Sequence, residues 1–370
     1  MSEPRVEAAR DEVRSWLAEH PQPSGRQLAD AGYVVPHWPA PWGRAAEPVV
    51  QLAIDEELAA ARVSRPVNPI GIGWAGPTLL EAGTLEQQQR WLPRLLSGED
   101  FWCQLFSEPA AGSDLSALST KAVKDGDEWI VSGQKVWTSY GHVARFGILL
   151  ARTDPDAEQH HGISYFICPM DAAGIEVRPL FDMTGEHTFN EVFLDDVRIP
   201  AENLVGQVND GWRLAKVTLA NERVSLSGEG LLWGMGPSVS DLVELVRARG
   251  GAPDPVLRDR LVRCWANAEV IRALKGRLVA AAVAGRTPGP EASVRKALAD
   301  DLGQEAMELA LDMVGAAGML MPPPGDPSWM WARGFQFSPA LTVGGGTSAV
   351  QRNIIAERVL GLPRDAEATR

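Results

Sequence analysis

Three textures of apolar and polar positions follow one another along the chain. From residue 1 to about 103, apolar residues recur at helical spacing between proline-rich breaks: 5–17 is amphipathic, 49–61 repeats apolar residues three and four apart, and 84–96 opens on Thr84-x-x-Gln87. That opening predicts a capping box, in which Thr84 and Gln87 each satisfy an orphan amide at the helix start. From about 104 to 215 the period falls to two. Segments 121–124 and 128–132 flank Asp125-Gly126, a strong hairpin signal, and strand-like runs follow at 146–152, 163–169, 174–179 and 191–199. Short strands with no helices between them point to a small antiparallel barrel or sandwich. From about 216 the helical texture returns, rich in Ala, Leu, Arg and Glu through 302–314, while the prolines of 321–327 must form a loop.

The pattern therefore predicts an α+β multidomain chain: a helical N-terminal domain at 1–103, a middle antiparallel β-domain at 104–215, and a C-terminal helical domain at 216–370. Length agrees, because 370 residues exceed one ordinary core. A net charge of −13 argues against nucleic acid, which needs a basic footprint, though a local cluster of Arg and backbone amides can still hold a phosphate. Cys103, Cys168 and Cys264 lie far apart and form no C-x-x-C pair, so they read as buried apolar residues in a reducing compartment. No signal peptide and no membrane span is read, and the expected location is cytoplasmic.

Gly71, Gly73 and Gly76 spell G-x-G-x-x-G, but Pro66, Pro69 and Pro77 deny that motif the buried strand it needs. Close helix packing is the better reading of these glycines. His160 and His161 are neighbours that would point to opposite faces of an extended segment, so no metal is expected. The string 104–115 (QLFSEPAAGSDL) differs: Pro109, Gly112 and Ser113-Asp114 make an irregular loop with exposed amides and hydroxyls after an apolar entry. Downstream, 133–139 (GQKVWTS) sets Trp137 at a strand end beside two hydroxyls. A lone strand Trp is usually core, yet the two segments together look like a cofactor shelf.

These two segments, with 190–200 (NEVFLDDVRIP) and 346–363 (GTSAVQRNIIAERVLGLP), resemble the acyl-CoA dehydrogenase family in order and spacing. The resemblance covers nearly the whole chain. It implies a helical N-terminal domain, a middle β-domain and a C-terminal four-helix bundle, with FAD bound between the β-domain and the bundle. Phe106 and Ser107 match positions lining the flavin ring, within the loop that includes Gly112, and Ser113 matches one near the cofactor and the substrate's pantetheine. Trp137 would shield the flavin face, and Ser139 would hydrogen-bond near N5. Gly346, Thr347 and Gln351 match a turn that contacts the flavin or its pyrophosphate.

Many family members carry a catalytic Glu just before the Gly-Thr of that turn, where this chain has Gly345. Gly345 cannot be a base, although its backbone N–H can still hold a thioester oxygen. The isovaleryl and long-chain types place the base at the start of the C-terminal domain, and there the string 219–226 supplies Glu222, with Arg223 beside it toward the substrate. An ordinary solvated Glu-Arg pair is the plain alternative. Gly344 to Gly346 would either leave room near the thioester for a branched or bulky acyl group or serve turn geometry alone. The residues that grip a neighbouring subunit's FAD are weakened: 247–251 reads Arg-Ala-Arg-Gly-Gly, and Asp312 replaces a Gln. Such departures resemble actinobacterial members acting on bulky or steroid-derived acyl-CoAs, some built from two unlike chains.

The expected activity is dehydrogenation of an acyl-CoA to a trans-2-enoyl-CoA, with electrons leaving to an electron-transfer flavoprotein from a homo- or hetero-oligomeric dimer of dimers. The rival expectations are a weakly active or inactive structural subunit of a heteromeric acyl-CoA dehydrogenase and a different flavin reaction, oxygenase or oxidase, on the same fold.

Overall fold

The computed structural model describes residues 3–225, 230–252, 254–283 and 289–364. Their contacts divide into two compact units, residues 1–180 with 187–221, and residues 181–186 with 222–370.

The first unit opens with helices α1 (Glu3–Glu19), α2 (Gly25–Asp30) and α3 (Pro48–Ala60). Arg10 and Arg14 of α1 reach Glu57 of α3 at 2.9 and 2.8 Å. The three glycines of the G-x-G-x-x-G string lie on helical turns leading into α4 (Gly76–Ala82). A Cβ on Gly76 would stand 2.2 Å from the Trp38 ring, and one on Gly71 would stand 2.4 Å from Asn68 Nδ2. Close packing accounts for both.

Helix α5 (Leu85–Ser97) starts on the expected box: Gln87 N donates to Thr84 Oγ1 at 3.2 Å and Thr84 N to Gln87 Oε1 at 3.0 Å. It ends on Gly98 at φ +77°, the left-handed cap that only glycine adopts at no cost. Gln87 has a second duty. Its Nε2 donates to the carbonyls of Glu202 and Leu204, each at 2.7 Å, tying the helix to the far end of the sheet segment.

The sheet has eight strands: β1 (Trp102–Leu105), β2 (Lys121–Asp125), β3 (Glu128–Lys135), β4 (Phe146–Arg152), β5 (Ile163–Pro169), β6 (Ile175–Leu180), β7 (Phe189–Pro200) and β8 (Leu204–Val205). They run in the order β6-β7-β3-β2-β4-β5-β8, with β1 beside β4. Pairing is antiparallel except for β1 with β4 and the single β2–β4 bridge at Lys121 and Arg152. In the β2–β3 hairpin Asp125 pairs with Glu128, so the turn is Gly126-Asp127, one residue later than expected, with Gly126 at φ +59°. Trp129, Val131, Leu149, Phe166, Val192 and Val197 fill the core beneath, together with the free thiols of Cys103 and Cys168.

Helix α6 (Gly211–Ser225) belongs to the first unit through Asn221 and to the second from Glu222. In the first unit its Thr218 hydroxyl meets Thr78 at 2.8 Å and Tyr165 at 3.1 Å, joining helix, helix and sheet. The second unit continues with α7 (Val239–Ala248), α8 (Pro255–Val283), α9 (Ala292–Val314), α10 (Trp329–Phe337) and α11 (Ser348–Ile354). Leu242, Cys264, Leu302, Met307, Ala310 and Trp331 make its core. The prolines of 321–327 lie in a loop, as the sequence requires. No described helix is long and apolar enough to cross a membrane.

Candidate functional site

In the first unit the loop after β1 is strapped to the end of β3. Phe106 O accepts from Lys135 Nζ at 3.1 Å, and Ser107 O accepts from Val136 N at 2.9 Å. The Phe106 ring is buried edge-on to Tyr165, so the ring itself is not presented to a ligand. Glu108 anchors the loop from inside. Its carboxylate accepts from Lys135 Nζ (2.8 Å), Ser119 N (2.7 Å), Ser119 Oγ (2.8 Å) and Thr120 N (2.9 Å). Burial pushes the carboxyl up, but the Lys135 charge and these donors outweigh it and hold Glu108 down at about 2. Lys135 is wholly buried, and burial lowers it to about 8 against the pull of Glu108.

Gly112 and Ser113 lie on the exposed outer part of this loop. A Cβ on Gly112 would meet nothing within 4 Å, so packing does not require glycine there. Trp137 follows the strapped segment at φ +59° and is 62% exposed, its ring edge-on to Phe189. It is therefore no core tryptophan. Thr138 fixes it by exchanging two backbone hydrogen bonds with Asn190, each 3.0 Å, and Asn190 Nδ2 adds a third to Thr138 O at 3.0 Å. Ser139 is half-buried beside it. The structure thus brings Phe106, Ser107, Trp137 and Ser139 onto adjoining backbone segments.

In the second unit the turn 343–347 is held by two side chains. Lys296 Nζ donates to the carbonyls of Leu341 (3.0 Å), Gly344 (2.8 Å) and Gly346 (2.9 Å). Gln351 Nε2 donates to the carbonyls of Gly345 (3.0 Å) and Gly346 (3.2 Å). A planar trans peptide that sends its carbonyl one way sends the next N–H the other way. The amides of Gly345, Gly346 and Thr347 consequently face away from Lys296 and Gln351. Gly345 and Gly346 adopt φ +66° and +89°, which glycine tolerates without strain. Thr347 caps α11, its Oγ1 accepting from Val350 N at 3.2 Å.

The glycines do not open a cavity of their own. Where side chains would stand at 344 and 346, Trp233 approaches to 2.6 Å and Gln351 to 2.7 Å. The expectation that Gly344 to Gly346 make room for a bulky acyl group is corrected on this point: turn geometry and packing explain two of the three.

Glu222 sits on α6 and is 7% exposed, which is not the environment of a solvated helix pair. Arg223 follows on the same helix, and its side chain lies outside the described residues. Asp312 is neutralised within its own unit by Arg260 at 2.6 Å, and Arg247 is engaged by Glu244 at 2.6 Å. His160 packs on Trp212 and His161 lies 3.7 Å from Glu158, and among the described residues no cluster of three potential metal ligands forms.

A flavin dinucleotide needs a flat apolar face, amide donors for its pyrophosphate and polar partners for its hydroxyls. Taken separately, the two units carry such groups. One has the exposed Trp137 indole; the other has the three outward amides of the glycine turn. Thr138 Oγ1, Ser348 Oγ and Gln351 Oε1 are buried and have no hydrogen-bond partner among the described residues, a costly state that a bound ligand would relieve. The residues present fit the group.

Sequence reasoning overlooked the residues that hold these segments from behind: Glu108, Lys135, Asn190, Lys296 and Asp300. For Lys296 and Asp300 a signal existed. Ser293, Lys296, Asp300, Gly303, Met307 and Ala310 are spaced three and four apart and all buried, so the charged pair rides on the core stripe of α9.

Models of the acyl-CoA dehydrogenase N-terminal, middle and C-terminal domains match residues 3–99, 103–197 and 209–360. Acyl-CoA dehydrogenase FadE34 of Mycobacterium tuberculosis is 46% identical over 98% of this chain, which spans 48% of that relative. Among solved structures, the Tcur3481-Tcur3483 steroid ACAD superposes with a TM-score of 0.79 at 29% identity, covering 98% of each chain. The ChsE4-ChsE5 complex from Mycobacterium tuberculosis gives 0.77 at 32% identity, again over 98% of each. The chain belongs to the acyl-CoA dehydrogenase family of flavoprotein oxidoreductases.

Proposed function

We propose that this protein dehydrogenates an acyl-CoA thioester at its α,β-positions, giving a trans-2-enoyl-CoA, and passes the electrons to an electron-transfer flavoprotein. The observation that carries the reading is a buried carboxylate, Glu222, in a chain whose alternative base position is Gly345. Glu222 takes the α-proton. The Gly345 amide donates to the thioester oxygen as negative charge develops there, the role of a preorganised donor. Bound FAD supplies the acceptor for the β-hydride. Trp137 covers the flavin face, Ser139 hydrogen-bonds near its reactive edge, and the backbone of Phe106 and Ser107 lines the ring. Gly112 lets the loop approach closely, and Ser113 meets the cofactor and the pantetheine arm, which Arg223 helps to orient. Gly346, Thr347 and Gln351 hold the remainder of the cofactor.

A bulky, steroid-derived acyl group is the substrate class we favour, supported by the likeness to the steroid ACAD and not by the glycine turn. Assembly with a second chain of the same fold is favoured by the likeness to the ChsE4-ChsE5 complex. It is favoured too by the sequence at 247–251 and by Asp312, which pairs with Arg260 within the chain. Purifying the chain alone separates the two roles: stoichiometric flavin supports a competent subunit, whereas flavin bound only after a partner is added supports a structural one.

The test of the base is Glu222→Gln. The variant is expected to keep its flavin and to lose substrate-driven bleaching by about 10²–10⁴-fold in rate. Bleaching at the wild-type rate removes Glu222 from the mechanism.

A further inference from the structure

Lys296 is 1% exposed, and the catalytic scheme above makes no use of it. An ammonium group taken out of water costs several kcal/mol unless its charge and all its donors are met, and an apolar side chain of similar length would fill the same space at less cost. Here every donor is spent on one short strap. The three N–H bonds reach the carbonyls of Leu341, Gly344 and Gly346, and an ammonium has three to give. Asp300 Oδ2, one helical turn along α9, lies 2.5 Å from Nζ as its ion-pair partner, and burial pushes this carboxyl up to about 7. It is itself only 3% exposed. One turn further, Gln304 Nε2 donates to Ser338 O at 3.2 Å and Thr342 Oγ1 at 3.1 Å. Positions 296, 300 and 304 thus form one face of α9 that grips the strap 338–346 along its length.

The consequence falls on the Gly345 amide. With Gly344 O drawn to Lys296, the trans peptide aims Gly345 N–H to the opposite side. Two consecutive glycines at positive φ supply no stiffness of their own, since glycine is the residue with the widest choice of backbone conformations. Direction must come from outside the turn, and Lys296 provides it on both sides of residue 345. Gln351 secures the carbonyls of Gly345 and Gly346 but leaves that of Gly344 to Lys296 alone among the described residues.

We propose that Lys296, bound to the carbonyls of Leu341, Gly344 and Gly346 and paired with Asp300, is a positioning residue for the dehydrogenation: it sets the direction of the Gly345 N–H toward the thioester oxygen. This rests on the reading of Gly345 as the oxyanion donor. A misdirected donor weakens an interaction that matters most in the transition state, so kcat falls while KM holds.

The experiment compares the flavin-loaded wild type with Lys296→Met and Asp300→Asn. Amide hydrogen exchange of residues 341–347 is followed by mass spectrometry, beside steady-state kinetics with one acyl-CoA substrate. For Lys296→Met we expect exchange of that segment to rise about tenfold or more and kcat to drop about 10²-fold, with KM within about twofold. Asp300→Asn keeps the three carbonyl bonds and should show the same pattern, several-fold weaker. A folded Lys296→Met protein with wild-type exchange overturns the positioning role outright. Faster exchange with unchanged kcat means that Lys296 holds the strap but the Gly345 amide does not serve the reaction, which sinks the oxyanion reading and the proposal that rests on it. Should Lys296→Met not fold, Lys296→Gln, which cannot make all three carbonyl bonds, decides by the same two readouts: wild-type values for both overturn the proposal, and faster exchange with lower kcat at constant KM supports it.

Discussion

Glu108 is the residue on which the shape of the first unit's shelf depends most directly. Its carboxyl is held at about 2 in the folded chain, below its ordinary value of 4.5. A depressed carboxyl stabilises the fold at pH values above 4.5, and that contribution disappears as pH falls toward 2. The shift corresponds to roughly 3 kcal/mol. Denaturant unfolding of the wild type should therefore lose stability between about pH 4.5 and 2, and Glu108→Gln should lose less over that range, its curve shallower by the Glu108 share. The variant should also begin lower at pH 7, by about 3 kcal/mol, because Lys135 is then buried without its counter-charge. Parallel pH curves for the two proteins would refute the assignment. At this scale the sequence was only partly legible. The segments holding Trp137 and Gln351 could be picked out by motif, but Glu108 and Lys135 stand 27 positions apart and their pairing is made by the β1–β3 geometry alone. Asn190 was hidden likewise, since its partner Thr138 lies 52 positions away.

Elements were read more surely than the contacts between them, because helix and strand periods are local properties. Strands β4 and β5 fall on the strand-like apolar runs at 146–152 and 163–169, and both are buried on both faces. The β2–β3 turn moved by one residue because Asp125 can still pair with Glu128 while Gly126 takes the positive φ. Helix α5 shows how one local signal can carry a second, long-range duty. Thr84 only caps, whereas Gln87 caps and also satisfies the carbonyls of Glu202 and Leu204. Thr84→Ala should cost about 1 kcal/mol, the usual worth of an N-cap. Gln87→Ala should cost roughly 2 kcal/mol, since two part-buried acceptors lose their donor as well. Equal losses in thermal or denaturant unfolding would show that the tie to the sheet segment contributes nothing. Helix α9 illustrates the opposite difficulty. Its length was plain, but a lysine and an aspartate on its core stripe have meaning only once the strap 338–346 lies against them.

For the whole molecule, the order helix, strand, helix was visible as changes of period, and the domain models follow the same order. The grouping of the helical N-terminal segment and the sheet into one compact unit was not visible. It depends on contacts such as Thr78 with Thr218, separated by 140 positions, and Gln87 with Leu204, separated by 117. A net charge of −13 fits a protein whose anionic ligand would be met by backbone amides and a few arginines, not by a basic surface. The central claim is that this chain removes two hydrogens from an acyl-CoA, with Glu222 as the base. Its most direct test is anaerobic mixing of the purified, flavin-loaded protein with short, branched, long and steroid-side-chain acyl-CoAs, following the flavin absorbance and the product mass. Rapid bleaching with a bulky acyl-CoA and a product lighter by two hydrogens are expected, both lost in Glu222→Gln; a flavin that stays oxidised with every thioester would rule this dehydrogenation out.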